Sequence, residues 1–186
     1  MLKQARKAMK ACAAGAIDRN EVEATARRML EPFERGAGED PYAMHAELQE
    51  TMQDLVGIIR TESELREALV RLDRLRERHA RVGVRGGRRY NPGWHLALDL
   101  GPMLTVSEVV ARSALERRES RGGHTREDFP KAAPEWADVN VVTRRRDGQL
   151  VLSREPLAQV PGELRALLGE AAEAHAEPVT IEKGAS

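Results

Sequence analysis

The sequence of 186 residues contains a single cysteine, Cys12, and aromatic residues make up only 3% of it. One cysteine excludes an internal disulfide framework and any metal site built from several thiolates. The five histidines show no metal-ligand spacing, so we predict no metal site. Few aromatics, together with abundant Ala, Leu, Arg and Glu, favour helices over strands.

The chain also lacks an excess of charge, because 30 basic residues balance 30 acidic ones. A balanced charge gives no general attraction to nucleic acid or to an anionic membrane. No apolar run reaches the length of about 18 residues that a spanning helix requires. Basic residues interrupt the N-terminus too regularly for a secretory signal. These absences predict a cytoplasmic protein with no nucleic-acid partner and no direct membrane insertion.

Four helix-start signals divide the first two thirds of the chain. Asp18 is predicted to cap a helix that runs to about Phe33, and Asp40-Pro41, Thr61 with Glu64, and Asn91-Pro92 start three more. The last three starts are each followed by apolar residues at helical spacing. These three apolar stripes can be buried only against one another. We therefore predict a mostly α fold, an antiparallel, spectrin-repeat-like three-helix bundle preceded by N-terminal helices.

Two breaks in the pattern complete the predicted organisation. Gly101-Pro102 lies inside the third stripe and predicts a kink or a two-piece helix. Asp147-Gly148 lies between two alternating runs and predicts a C-terminal β-hairpin. The predicted units are an N-terminal helical lead (1–36), the bundle (37–130), and the hairpin with its tail (131–186). We also predict a basic, helix-prone stretch at 1–14 and a short Ala-rich helix at 162–176.

The segment 118–130 concentrates six charges, a histidine and two glycines in thirteen residues. Arginines near a helix end complement its negative pole by ~0.3–1 kcal/mol each. Gly122 is predicted as the left-handed residue that closes the helix. Helix termination alone does not account for Ser120, His124, Arg126 and Asp128 in this order.

This segment resembles a family signature. Residues 119–124, Glu-Ser-Arg-Gly-Gly-His, resemble the Glu-Ser-Arg-Gly-(Ala/Gly)-His motif of the flavoprotein subunits of succinate dehydrogenase and fumarate reductase. The stretches 38–41, 48–53 and 90–95, and Asp128-Phe-Pro followed by Trp136 and Asn140, are similar to the same family. L-aspartate oxidase is a related family that shares Glu-Ser-Arg-Gly and a run like 56–61. It usually lacks the extension 136–153, so we place the chain nearer the succinate/fumarate branch.

The resemblance implies a C-terminal helical domain that contacts a flavin-binding domain or chain and the iron–sulfur subunit of a respiratory complex. Such a complex would bring it to the inner face of the plasma membrane. The residues that the resemblance suggests for the interface or the periphery of the site are Arg60, Ser120, Arg121, His124 and Arg126. It assigns no self-contained catalytic residue to this chain.

The parent family binds FAD, through a region that this sequence lacks. No glycine set forms the G-x-G-x-x-G element that cradles a pyrophosphate after a strand. The flavin-linking histidine segment and the substrate segment of the family are missing as well. We therefore expect no cofactor in this chain, and support of succinate/fumarate oxidoreduction and electron transfer only within a complex.

Two alternatives stay open. The chain could be an orphan interaction domain or a gene fragment without activity. Less favoured is a phosphate- or nucleic-acid-binding surface formed by Arg85, Arg88 and Arg89 with Tyr90, together with 144–146. The zero net charge favours a solvated loop and hairpin rim for these arginines.

Overall fold

The structure is a computed structural model and describes residues 18–158, 161 and 164. Its elements are α1 (Arg19–Glu34), α2 (Pro41–Leu55), β1 (Ile59–Arg60), α3 (Glu62–His79), α4 (Pro92–Glu116), β2 (Thr125–Arg126), a 3-10 turn (Pro134–Trp136), β3 (Val139–Arg146) and β4 (Gln149–Pro156). The stretch predicted at 1–14 lies outside the described residues, as does all but residue 164 of the helix predicted at 162–176. The predicted unit boundaries after residues 36 and 130 stay predictions.

Helices α2, α3 and α4 pack against one another as the predicted bundle. A backbone bridge between Glu39 and Val82 joins the start of α2 to the end of α3. Nε2 of His79, at the end of α3, donates to the carbonyl of Ala97 near the start of α4 over 3.2 Å. Successive helices are therefore antiparallel. Buried apolar side chains form the core, among them Met44, Leu48, Leu65, Leu72, Leu75, Leu100 and Leu104.

The predicted capping residues start the helices. Asp18 and Asp40 each accept the N–H of the residue two positions later, and Asn91 accepts the N–H of Trp94 at 3.1 Å. Thr61 and Glu64 form the reciprocal capping box at the start of α3. These local signals confirm the predicted mostly helical fold.

Helix α4 continues through Pro102 as one helix of 25 residues, so the predicted two-piece helix is wrong. Leu100 and Leu104, on either side of the proline, are 0% and 1% exposed in the core. Burial of each leucine is worth ~1.5–3 kcal/mol, which together matches or exceeds the ~3 kcal/mol cost of an internal proline. The packed core therefore keeps the helix continuous.

Helix α1 lies against the start of α4. The indole Nε1 of Trp94 donates to the carbonyl of Met29 over 2.6 Å, and the Trp94 and Phe33 rings are 5.3 Å apart. The N–H of Val84 donates to the carbonyl of Pro32 at 2.9 Å, which ties the α3–α4 loop to α1 as well.

The predicted hairpin is confirmed as β3 and β4, with Arg146 opposite Gln149. Asp147 and Gly148 both have positive φ, 50° and 80°, as a two-residue turn of type I′ requires. The hairpin is anchored through Trp136, which is buried between the guanidinium groups of Arg117 and Arg154 at 5.0 and 4.0 Å. No helix among the described residues is long and apolar enough to cross a membrane.

Candidate functional site

The pairing of β1 with β2 creates the candidate site. This parallel pair places Ile59 beside Thr125 and Arg60 beside Arg126, and the N–H of Glu127 donates to the carbonyl of Arg60 at 3.1 Å. The loop after α4 is thereby fixed against the junction of α2 and α3. Strands of two residues are too short to show an alternating pattern, so no sequence signal predicted this contact.

The loop turns back on itself at the two glycines. Arg121 and His124 exchange both backbone hydrogen bonds, at 2.8 and 3.0 Å, and Gly122 between them has φ 58°. The left-handed conformation predicted for Gly122 is correct, but its predicted role is wrong. Helix α4 ends at Glu116 with Arg117 as its C-cap, and Gly122 forms the later tight turn instead.

Arg126 is the cation that satisfies the end of α4. Its side chain is 0% exposed, and its Nη1 donates to the carbonyls of Ala114 and Leu115 at 2.9 and 3.3 Å. Its Nε and Nη2 bind the two carboxylate oxygens of Asp128 at 2.8 and 2.6 Å. The guanidinium of Arg126 lowers the pKa of Asp128. Arg126 therefore supports the site from within and is not itself on the surface.

Glu119 is the second buried charge of this site, and it was not among the residues predicted from the sequence. Its carboxylate is 0% exposed and binds Arg117 at 2.5 Å, Arg121 Nε at 3.0 Å and the N–H of Ala133 at 2.9 Å. Hydrogen bonds from Arg121, then from Ala133 and Arg117, lower the pKa of Glu119 to about 2 against the burial that raises it. The two acids each lie two residues from their arginine, Glu119 from Arg121 and Asp128 from Arg126. This spacing of two residues between acid and arginine was the available signal in the sequence.

Ser120 holds the backbone of the loop. Its Oγ accepts the N–H of Arg126 at 2.9 Å and donates to the carbonyl of Phe129 at 2.9 Å. These two bonds tie the start of the loop to its end.

His124 is half-buried, and its Nε2 donates to the carbonyl of Arg117 at 3.0 Å. Burial is the main cause that lowers the pKa of His124, and the charges of Arg60, Arg126 and Arg117 lower it further. The imidazole is therefore neutral at neutral pH, with Nδ1 as an acceptor.

Among the candidate site residues, Arg60 is the arginine whose side chain has no hydrogen bond to the described part of the chain. Its Nε is buried and has no hydrogen-bond acceptor among the described residues. Burial and the nearby charge of Arg126 lower the pKa of Arg60, although a guanidinium stays protonated at neutral pH. The preceding residues, Ile58 and Ile59, are 73% and 60% exposed.

The predicted site residues thus lie together but have different environments. Arg126 and Ser120 organise the loop, and the side chain of Arg121 is 43% exposed while it binds Glu119. Arg60 and His124 are half-buried at the junction of β1 with β2. Within the described ranges, no three His, Cys, Asp or Glu side chains come together as a metal site would require.

The two arginine clusters considered for phosphate binding do not form one surface. The loop 85–89 precedes the start of α4, whereas the hairpin contacts its end through Arg154 and Glu116. A helix of 25 residues is about 37 Å long. In the loop, Arg88 stacks on Phe33 at 5.9 Å.

The similarity to known proteins covers the part of the chain that contains this site. The family model described as "Fumarate reductase flavoprotein C-term" matches residues 45–176. One of the subunits of the fumarate reductase (CoM/CoB) of Methanothermobacter marburgensis is 36% identical over 111 residues, 60% of this chain and 20% of the relative. The fumarate reductase flavoprotein subunit of Mycobacterium tuberculosis strain H37Rv is 34% identical over 122 residues, 64% of this chain and 21% of the relative.

Among solved structures, the chain is similar to Sdh1 of Mycobacterium smegmatis in complex with UQ1. The two superpose with a TM-score of 0.77 and 45% identity, over 86% of this chain and 27% of the other. The chain therefore spans about a fifth of the length of these curated relatives and about a quarter of the solved one.

Proposed function

We propose that this chain, which belongs to the fumarate reductase flavoprotein C-terminal family, supports succinate/fumarate oxidoreduction as the helical part of a larger assembly. The observation that carries the proposal is the family match over residues 45–176, which includes the whole of the candidate site. The matched relatives are flavoprotein subunits several times longer than this chain. The flavin and the dicarboxylate would be bound by a different polypeptide region.

The described residues do not fit FAD. A dinucleotide site needs a parallel sheet whose strand leads through a glycine-rich turn into a helix N-terminus. The two sheets described here have two strands each, and the parallel one pairs strands of two residues. We therefore assign no flavin contact and no step of the redox chemistry to the residues that the structure describes.

The assembly would use the surface around β1 and β2. We assign interface or site-periphery roles to Arg60, Arg121 and His124, whose side chains reach the surface at least in part. Ser120 and Arg126 would contribute by fixing the loop that presents them. The proposed partners are a flavin-binding domain or chain and an iron–sulfur subunit. Arginine suits such an interface because its planar fork binds carboxylates with two parallel hydrogen bonds.

Reconstitution tests this function. The purified chain alone should be colourless after gel filtration and should not oxidise succinate with an artificial dye as acceptor. Added to the flavin-bearing polypeptide and the iron–sulfur subunit of the same organism, it should co-elute with them and raise dye reduction. A flavin band retained by the chain alone, or succinate oxidation without a second protein, would overturn the proposal. Co-elution without any effect on dye reduction would indicate a binding module instead.

Substitution of Arg121 tests whether the partner polypeptides bind at this surface. Arg121→Ala should weaken co-elution while the far-ultraviolet circular dichroism of the helices is retained, and Arg145→Ala on the exposed hairpin should bind like the parent chain. If Arg121→Ala loses helicity, Arg121 acts on the fold through Glu119 and the contact must lie elsewhere.

A further inference from the structure

Four arginines lie at the candidate site: Arg60, Arg117, Arg121 and Arg126. Among them, Arg60 has no carboxylate partner in the described residues. Arg117 and Arg121 share the carboxylate of Glu119, and Arg126 binds Asp128. Burial lowers the pKa of Arg60, and the nearby charge of another cation, Arg126, lowers it further. A charge that is partly withdrawn from water is stabilised by a partner of opposite charge. The position of Arg60 therefore calls for an acceptor from outside the described residues.

The nearby acceptors are already occupied. Asp128 uses both carboxylate oxygens for Arg126 and also accepts the N–H of Glu62 at 3.1 Å. The carboxylate of Glu119 receives two arginines and a backbone N–H. The carbonyl of Arg117 accepts His124. Each of these acceptors bonds to groups other than Arg60.

The exposed part of Arg60 is its outer end. Only Nε of its guanidinium is both buried and unpartnered, so the terminal nitrogens are open to solvent in a half-buried side chain. A carboxylate that approaches end-on can accept from both terminal nitrogens. Such a contact would also balance the charge at the buried Nε.

The surface beside Arg60 is apolar. Ile58 and Ile59, which precede it, are largely exposed, and a groove of about 620 Å³ lined by Gln49, Met52, Gln53 and Gly57 adjoins Ile58. A free inorganic anion gains nothing from exposed isoleucines, whereas a polypeptide that carries an acid beside apolar side chains gains from both. Charge and surface chemistry together favour a protein occupant.

We propose that Arg60 is the receptor for an aspartate or glutamate side chain of the flavin-bearing polypeptide, with Ile58 and Ile59 covered in the same contact. The choice of that partner rests on the proposed function. The unpartnered cation and the exposed isoleucines do not depend on it.

The first test uses the chain alone. Arg60→Gln should melt at the same temperature as the parent chain or higher, because it removes a cation that has no internal partner. Arg126→Gln is the matched comparison and should melt at a clearly lower temperature, because its partners lie inside the fold. A melting temperature of Arg60→Gln that falls as far as that of Arg126→Gln would overturn the proposal, since Arg60 would then be a fold residue.

The second test measures affinity for the flavin-bearing polypeptide. Arg60→Gln should bind ~30-fold or more weakly, the usual loss when one partner of a buried charge pair is truncated. Arg60→Lys should be intermediate, because it keeps the charge and loses the fork, and Arg145→Gln should bind normally. Normal binding of Arg60→Gln would sink the carboxylate receptor and leave the proposed function intact. No binding by the parent chain would overturn the proposed function and this partner together.

The third test identifies the acid. A zero-length carbodiimide reagent couples an amine to a carboxylate in contact with it. In the Arg60→Lys variant it should link position 60 to one aspartate or glutamate of the flavin-bearing polypeptide, found by mass spectrometry of the digested complex. Arg145→Lys should give no such link. Links from position 60 only to residues of its own chain would overturn the proposal.

Discussion

Replacement of Glu119 by glutamine tests the reasoning about the buried network most directly. The carboxylate is 0% exposed and holds Arg117, Arg121 and the backbone of Ala133. Its pKa is about 2 in the folded chain against 4.5 for a free glutamate. A difference of this size corresponds to about 3 kcal/mol of stability at neutral pH. Arg121 is partly exposed and screened by solvent, so we expect Glu119→Gln to cost about 2–3 kcal/mol.

Urea denaturation followed by circular dichroism measures this cost. In a separate thermal melt of a chain of this length, the same loss of stability should lower the melting temperature by roughly 5–10 °C. Glu135→Gln is the matched control, because Glu135 is exposed and has no hydrogen bond or ion pair among the described residues. It should change the free energy of unfolding by less than about 0.5 kcal/mol.

The pH dependence of the stability difference between the parent chain and Glu119→Gln is a second check. Because folding lowers the pKa of Glu119, its contribution is complete above pH 4.5 and is lost as the pH falls toward 2. The difference in unfolding free energy between parent and Glu119→Gln should therefore shrink over this window. A difference that stays constant from pH 7 to 2, or a neutral-pH cost no larger than that of Glu135→Gln, would refute the network as the cause.

Three further variants address other parts of the fold, each read by the free energy of unfolding in urea. Arg126→Lys should cost about 2 kcal/mol, because an ammonium group cannot hold its carboxylate with two nitrogens and also reach the carbonyls at the end of α4; an unchanged midpoint would contradict this. Thr61→Ala removes the side-chain half of the capping box and should cost about 1 kcal/mol, and a stabilised variant would disprove the cap. Gly83→Ala would place its Cβ 2.7 Å from the carbonyl oxygen of Gly36 and should cost about 1–3 kcal/mol. Gly87→Ala, with open space around it, should be near neutral, and equal costs for the two would rule out the close approach.

The predicted helix starts were correct because each depends on a few consecutive residues. Asp40, Thr61 and Asn91 bond to N–H groups two or three positions later, so neighbouring residues contain the whole signal. The Asp147-Gly148 turn is local in the same way. Of the two outcomes predicted at Pro102, the two-piece helix was wrong for the opposite reason, since the leucines that keep α4 continuous are buried by other helices.

The sequence was enough to predict where in the chain the candidate site lies, but not how its side chains contact one another. The motif placed Ser120, His124 and Arg126 in one loop. The structure brings Arg60 to the same loop through the pairing of the two-residue strands β1 and β2. Burial of Arg126 depends on carbonyls of α4 and that of Glu119 on Arg117, Arg121 and the backbone of Ala133. Periodicity carries no information on such contacts, so charged residues that look solvated in the sequence are in the interior.

The contact between Asp128 and the first turn of α3 spans 66 positions of the chain. A closure of that length is entropically costly until the intervening helices have packed. The bond thus couples the position of the loop at 119–128 to the packing of α3 against α4, so a variant that loosens the bundle should also displace the loop.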